Sequence, residues 1–219
     1  FKNVNNTWTQ IGSDIDGEAS NDLSGYSVSL SNDGSIVAIG ATGNDDNGTN
    51  SGHVSIFKNV NNTWTQIGSD IDGEVSDDLS GYSVSLSNDG SVVAIGATGN
   101  DDNGTDSGHV SIFKNVNNTW TQVGSDIDGE ASNDLSGGSV SLSNDGSLLA
   151  IGGSGYDSNK GRVKVYKNIN NNWRQIGADL NGEEGYDHFG YDLSLSGNNG
   201  DTLLVGAPFS SKGATRSGY

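Results

Sequence analysis

The sequence predicts an all-β protein: a β-propeller built from four-stranded blades of 56 residues, four of which are present as part of a larger ring or array. Three observations carry that prediction. One hairpin-forming stretch recurs four times, and the whole chain repeats with a fixed period. No segment places apolar residues at the i, i+3, i+4, i+7 spacing of an amphipathic helix.

The recurring stretch is GYSVSLSNDGSIVAIGA, Gly25 to Ala41. It returns at Gly81–Ala97, at Gly137–Gly153 and, more loosely, at Gly190–Ala207. Tyr26, Val28 and Leu30 alternate with Ser27, Ser29 and Ser31, the period of two that defines a strand. Asn32-Asp33-Gly34 then supplies residues that tolerate a hairpin turn, and Ile36 to Ile39 follows as a short β-branched run. Aligning the chain with itself divides it into 1–56, 57–112, 113–165 (shorter by three residues) and 166–219. The first two units differ only at Ala19/Val75, Asn21/Asp77, Ile36/Val92 and Asn50/Asp106. Such units bury their faces only against neighbours.

Within a unit the sequence predicts four strands in order. Thr7 to Ile15 comes first, anchored by Trp8 and Ile11, and an acidic loop from Asp16 to Ser24 leads into the hairpin. A loop from Gly43 to Gly52 leads to the fourth strand, His53 to Lys58, and Val60-Asn61-Asn62 turns the chain into the next copy. Four strands of roughly five to six residues per unit predict at least about 35–45% strand. A ring of blades protects strand edges, and the serines of GYSVSLS offer a face small enough to receive the Tyr, Val and Leu of the next blade.

Composition narrows the function. Acids outnumber bases 28 to 10, a net charge of −18, which leaves nothing to neutralise a phosphate backbone and disfavours a nucleic-acid partner. The chain has no cysteine, so neither disulfides nor thiolate metal sites are available. No apolar run reaches the length of a membrane span, and no insertion into a membrane is expected.

The fourth copy adds Phe189-Gly190 and Gly206-Ala207-Pro208, which resemble the FG-GAP repeat of integrin α-subunit propellers and many bacterial surface proteins. The first copy varies this as Ser24-Gly25 and Gly40-Ala41-Thr42, and SGHVSIFKN resembles the family's GxVYVY strand. The resemblance covers the whole chain. It implies a propeller, usually seven-bladed, at an extracellular or cell-surface location, with adhesive or ligand-binding roles. The family's DxDxDG calcium loop is replaced here by the short Asn32-Asp33-Gly34 turn.

Other acids are candidates for Ca²⁺. Asp14, Asp16, Glu18 and Asp22 recur as Asp70, Asp72, Glu74 and Asp78, as Asp126, Asp128, Glu130 and Asp134, and as Asp179, Asn181, Glu183 and Asp187. Four oxygen-bearing side chains within nine residues suit a hard cation. The same residues equally suit a solvated loop in which Asp and Gly shape turns and cap amides. The loop Asn44-Asp45-Asp46-Asn47 repeats at Asn100 to Asn103 but loses its acids at Ser210 to Gly213, and reads as variable surface. Asn5, Asn47, Asn61, Asn103 and Asn117 head N-glycosylation sequons, although Asn-Asn and Asn-Gly are also ordinary turn dipeptides.

Catalysis finds little support in these residues. His53 and His109 are one position in two copies and read as strand-edge residues; His188 stands where the others have Leu23, Leu79 and Leu135. Acids repeated in every unit read as structural rather than as one tuned acid and one base. The expectation is a non-enzymatic extracellular module for adhesion, binding or filament-type assembly, taking a protein or glycan ligand or copies of itself. The alternative is an enzyme on a propeller scaffold, such as a carbohydrate-active hydrolase or lyase. Phe1-Lys2-Asn3 matches the end of the fourth strand and Ser217-Gly218-Tyr219 its beginning, with no equivalent of Val54-Ser55-Ile56 between them. The 219-residue segment is therefore expected not to close on itself as a monomer.

Overall fold

A computed structural model describes residues 1–197, 200–211 and 215–219 of the chain. The protein is nearly all β, 46% strand and 2% helix. Its one short helical segment among the described residues, Tyr156–Asn159, is a single turn with left-handed φ at Asp157 (46°) and Ser158 (59°).

Three antiparallel sheets of one design follow one another along the chain. The first blade orders its strands Ser24–Leu30, Ile36–Ala41, His53–Val60 and Thr63–Gln66, with Ile71–Asp72 beside the start of the third. The second repeats this at Ser80–Leu86, Val92–Ala97, His109–Val116, Thr119–Gln122 and Ile127–Asp128. The third uses Ser136–Leu142, Leu148–Gly153, Arg162–Ile169, Asn172–Gln175 and Leu180–Asn181. Two half-blades flank them: Lys2–Val4 with Thr7–Thr9, and Asp192–Leu195 with Leu203–Gly206, each forming a two-stranded sheet. Part of the fourth hairpin turn, residues 198–199, and residues 212–213 of the Ser210 to Gly213 loop lie outside the described residues.

The blades are out of phase with the units counted in sequence. The TWTQ strand pairs with the strand before it, Phe57 opposite Gln66 and Val60 opposite Thr63, so it closes one blade rather than opening the next. It is also shorter than Thr7 to Ile15: Gly12, Gly68, Gly124 and Gly177 take φ between 74° and 83° and turn the chain away. The turn into that strand holds Asn61 (φ 53°) and Asn62 (φ 63°), the two left-handed positions of a type I′ turn, while the Asn59 side chain accepts the Asn62 N–H at 3.1 Å.

Adjacent blades grip through unlike faces. Between the first and second, Ala38, Val54 and Ile56 meet Leu86, Val93 and Ile95, with Val84 packed against them. The next interface repeats this with Ala94, Val110 and Ile112 against Val140, Leu142, Leu149 and Ile151. Each fully buried side chain of this kind contributes about 1.5–3 kcal/mol, so these clusters outweigh the polar links beside them. The polar links fix register. The free edge of each inner strand is satisfied by serine hydroxyls of the preceding blade, with Leu86 N–H donating to Ser29 Oγ and Leu142 N–H to Ser85 Oγ, both at 3.0 Å. At the outer strand, the Nε1–H groups of Trp64, Trp120 and Trp173 donate to the carbonyls of Ile11, Ile67 and Val123. Gly40, Gly96 and Gly152 sit where a Cβ would collide with the backbone carbonyl of the next blade's Gly81, Gly137 or Gly190.

Candidate functional site

Each blade raises a rim of loops around the start of its third strand. His53 opens that strand, pairing with Ala41 on one side and Asp72 on the other. Strand alternation puts Ser55 on the same face two residues on. His109 repeats the arrangement between Ala97 and Asp128. Both imidazoles are 3% exposed. The Nδ1 atoms of both have no hydrogen-bond partner among the described residues, an arrangement that costs free energy unless something fills it.

The acids expected from sequence separate into three roles. Asp22, Asp78, Asp134 and Asp187 are buried, and each carboxylate accepts backbone N–H groups of its own loop, Ala19 for Asp22, Val75 for Asp78, Ala131 for Asp134 and Glu184 for Asp187. They are loop caps. Asp14, Asp70, Asp126 and Asp179 each accept the Nε2–H of the glutamine four residues earlier, and Asp70 also accepts Ser55 Oγ. Glu18, Glu74 and Glu130 stand exposed at the rim, as do Asp16, Asp72, Asp128 and Glu183.

Convergence occurs across repeats, not within one loop. A ring nitrogen of His53 and carboxylate oxygens of Glu18 and Asp70 lie within 4.8 Å of one another, and so do His53, Asp46 and Asp72. In the second blade the grouping is Glu74, Asp102 and His109. Burial, and after it the neighbouring acids, shift the acidity of these groups. Asp72 and Glu74 are raised above the usual carboxyl range first by partial burial; Asp70 and Asp46 push Asp72 further up against the opposing pull of His53, and Asp126, Asp102 and Asp78 push Glu74 up against that of His109. Asp128 is raised in the same way, by burial and by Asp102 and Asp126.

The third blade fills the same place with its own cations. Arg162 takes the histidine register, opposite Gly153 and Asn181. Its guanidinium meets Glu130 at 2.6 Å, the buried Asp134 at 3.1 Å and Asp179 at 3.4 Å, and lies 4.0 Å over the Tyr156 ring. Lys164, at the Ser55 position, pairs with Glu130. Glu130 is held below its usual range, first by the Lys164 hydrogen bond and then by Arg162. Sequence reading assigns His53 and His109 to a strand edge and the loops of Asp46 and Asp102 to variable surface, and so misses their convergence. The available signal is the exchange of His-x-Ser for Arg-x-Lys in the third copy.

At the hairpin turn, Asp33 accepts Ser35 N–H at 2.9 Å and Ser31 Oγ–H at 2.8 Å, which lowers its pKa and commits its carboxylate to the turn. That turn does not fit the family's calcium loop. Among the sequons, the Asn47 and Asn103 amides donate to the carbonyls of Gly73 and Gly129, both at 2.8 Å. Asn5, Asn61 and Asn117 stand exposed at left-handed turn positions.

Successive four-stranded sheets packed face to face define a β-propeller, and solved structures bear this out. Similar folds include hydrazine synthase of Kuenenia stuttgartiensis (TM-score 0.56, 14% identity, 88% of this chain and 44% of that one). Another is Sqt1 of Saccharomyces cerevisiae (TM-score 0.54, 11% identity, 87% and 44%). A third is the β-propeller domain of the Trilobed protease from Pyrococcus furiosus (TM-score 0.50, 12% identity, 86% and 49%). The chain spans half or less of the length of these structures, and the likeness is one of fold. The FG-GAP repeat model matches the chain at residues 14–57 and 70–113. No curated protein matches the sequence significantly. Among the described residues no helix is long and apolar enough to cross a membrane.

Proposed function

We propose that the chain is a non-enzymatic, extracellular or cell-surface propeller module for adhesion and assembly, whose partners are further blades of its own kind. The observation that carries this reading is the outward face of the first blade. Tyr26, Val28 and Leu30 are 50%, 65% and 61% exposed. Their counterparts Val84 and Leu86 are what the second blade buries in the first. At the other end Leu204 is 74% exposed, in the position that Ala38, Ala94 and Ala150 bury completely. The two faces are the halves of one interface already formed inside the molecule, and exposed apolar patches of this kind mark interaction sites. Near-identical repeats suit the role, since every blade offers its neighbour the same face. FG-GAP repeats support the surface location. The net charge of −18 keeps such an assembly soluble.

Sedimentation and light scattering of the 219-residue chain test this reading. Concentration-dependent association is expected, and Val28→Lys with Leu30→Lys should weaken it while leaving the melting transition within about 0.5 kcal/mol of the parent, because both side chains are exposed. A monomer at all concentrations would overturn the proposal.

A further inference from the structure

We propose that the rims of the first and second blades each bind one divalent first-row transition-metal ion of the Zn²⁺ class, held by the imidazole of His53 or His109 and the carboxylates gathered around it. Two independent observations point there. The first is chemical. His53 and His109 are each 3% exposed with an unpartnered Nδ1, and each has a ring nitrogen within 4.8 Å of carboxylate oxygens: Glu18 with Asp70 and Asp46 with Asp72 around the first, Glu74 with Asp102 around the second. A mixed set of imidazole and carboxylate favours a first-row ion over Ca²⁺, which takes oxygen ligands. The supports also resemble those that orient metal ligands: Asp70 is fixed by Gln66 Nε2 at 2.8 Å and by Ser55 Oγ, and Asp46 has its backbone N–H bound to Asn44 Oδ1 at 3.0 Å.

The second observation is the third blade, which serves as an internal comparison. Where the histidine is absent, the protein supplies two positive charges of its own, Arg162 and Lys164, to the equivalent carboxylates Glu130 and Asp179. The same blade also loses an acid, since the position of Asp72 and Asp128 becomes Asn181. More cation is accompanied by less anion. In the first blade four carboxylates gather around one imidazole, Glu18, Asp46, Asp70 and Asp72; in the second, Glu74 and Asp102 converge on His109, and Asp128 lies opposite it in the strand paired beside it. A bound dication occupies there the electrostatic place that arginine and lysine occupy in the third.

The test uses the whole 219-residue chain, stripped with chelator and titrated calorimetrically with ZnCl₂ and separately with CaCl₂. The expected result is about two Zn²⁺ ions per chain, one per histidine, with at least about tenfold weaker Ca²⁺ binding, given the nitrogen ligand. His109→Gln should remove one ion, and His53→Gln with His109→Gln both. Transplanting the third blade's solution, His109→Arg with Ser111→Lys, should also remove one ion. The conservative glutamine variants keep the question open to refutation should the transplant fail to fold. Zn²⁺ binding that survives in the double glutamine variant would overturn the proposal. So would Ca²⁺ binding of equal strength, which would assign the acids to a hard cation instead. No binding of either ion to the parent chain would overturn it too.

Discussion

The third blade and the first two share one backbone and differ at one rim, and the difference shows how a repeat protein settles charge. In all three, the third strand begins beside a two-residue strand, and a capped acidic loop approaches from the preceding repeat. The third blade closes that space with Arg162, whose head is 7% exposed against an Asp134 that is 5% exposed. The first two place a buried imidazole among acids that, among the described residues, have no arginine or lysine partner. Geometry is therefore common property of the repeat, while the charge state of the rim belongs to the individual blade.

Removing Arg162 should have the largest effect. Arg162→Ala leaves Asp134 buried with its guanidinium partner gone, and breaking one side of a buried pair costs about 3–5 kcal/mol. The pairs to Glu130 and Asp179 add little, because those carboxylates are 56% and 30% exposed. Urea denaturation of Arg162→Ala against the parent should show this loss, and an unchanged midpoint would place the stability of the rim elsewhere.

The opposite sign is expected in the first two blades. With metal removed by chelator, Asp72→Asn together with Asp128→Asn imitates Asn181 of the third blade and relieves carboxylates whose acidity burial and neighbouring acids already disfavour. Stability should rise by roughly 0.5–1 kcal/mol, a figure kept small because both groups are mostly solvated. A loss of stability would mean that these acids hold the loops in ways the hydrogen bonds do not show.

Most of the fold was legible in the sequence, and the rim was not. Alternation in GYSVSLS, the Asn-Asp-Gly turn and the 56-residue period lead directly to stacked antiparallel blades. The serine face does turn to the next blade, where the Ser29 and Ser85 hydroxyls satisfy that strand's edge, while its Val84 and Leu86 pack on Ala38, Val54 and Ile56. The strand phase escaped sequence reading because the type I′ turn at Asn61-Asn62 joins strands within a blade, whereas a period marks only distance along the chain. The acidic loops escaped it because side-chain convergence is a cross-repeat property. Glu18 meets Asp70, fifty-two residues away, only once one blade lies against the next. Asp22, equally acidic in sequence, turns inward to its own backbone.

Acidification should separate the two kinds of rim within one titration. Glu130 has a folded pKa below the ordinary 4.5, so its stabilisation is complete above that value and is lost as pH falls through the lower, folded one. Asp72, Glu74 and Asp128 have folded values above the ordinary 3.8, 4.5 and 3.8, so ionising them destabilises the fold at neutral pH. Lowering the pH through those raised values removes the penalty. In chelator and low salt, the melting temperature should first rise on acidification from neutrality and then fall below the ordinary carboxyl range. The Asp72→Asn, Asp128→Asn variant should lose much of the rise and keep the fall.

The smallest effect sharpens the comparison by separating the two cations of the third blade. Lys164 contacts Glu130, whose carboxylate is 56% exposed, and reaches Asp179 only at 4.0 Å. An ion pair open to water on one side contributes about 0–1 kcal/mol, because solvent screens the attraction and a long side chain loses freedom when held. Lys164→Ser, which restores the residue of the first two blades, should therefore shift the urea midpoint by no more than about 0.5 kcal/mol. Its effect on acidity should be clearer than its effect on stability. The Lys164 hydrogen bond is the main reason Glu130 lies below its usual range, so the variant should move Glu130 back toward 4.5, followed by carboxyl NMR titration. A midpoint shift as large as that of Arg162→Ala would show that both cations share the buried Asp134, and that the rim is neutralised as a unit rather than by arginine alone.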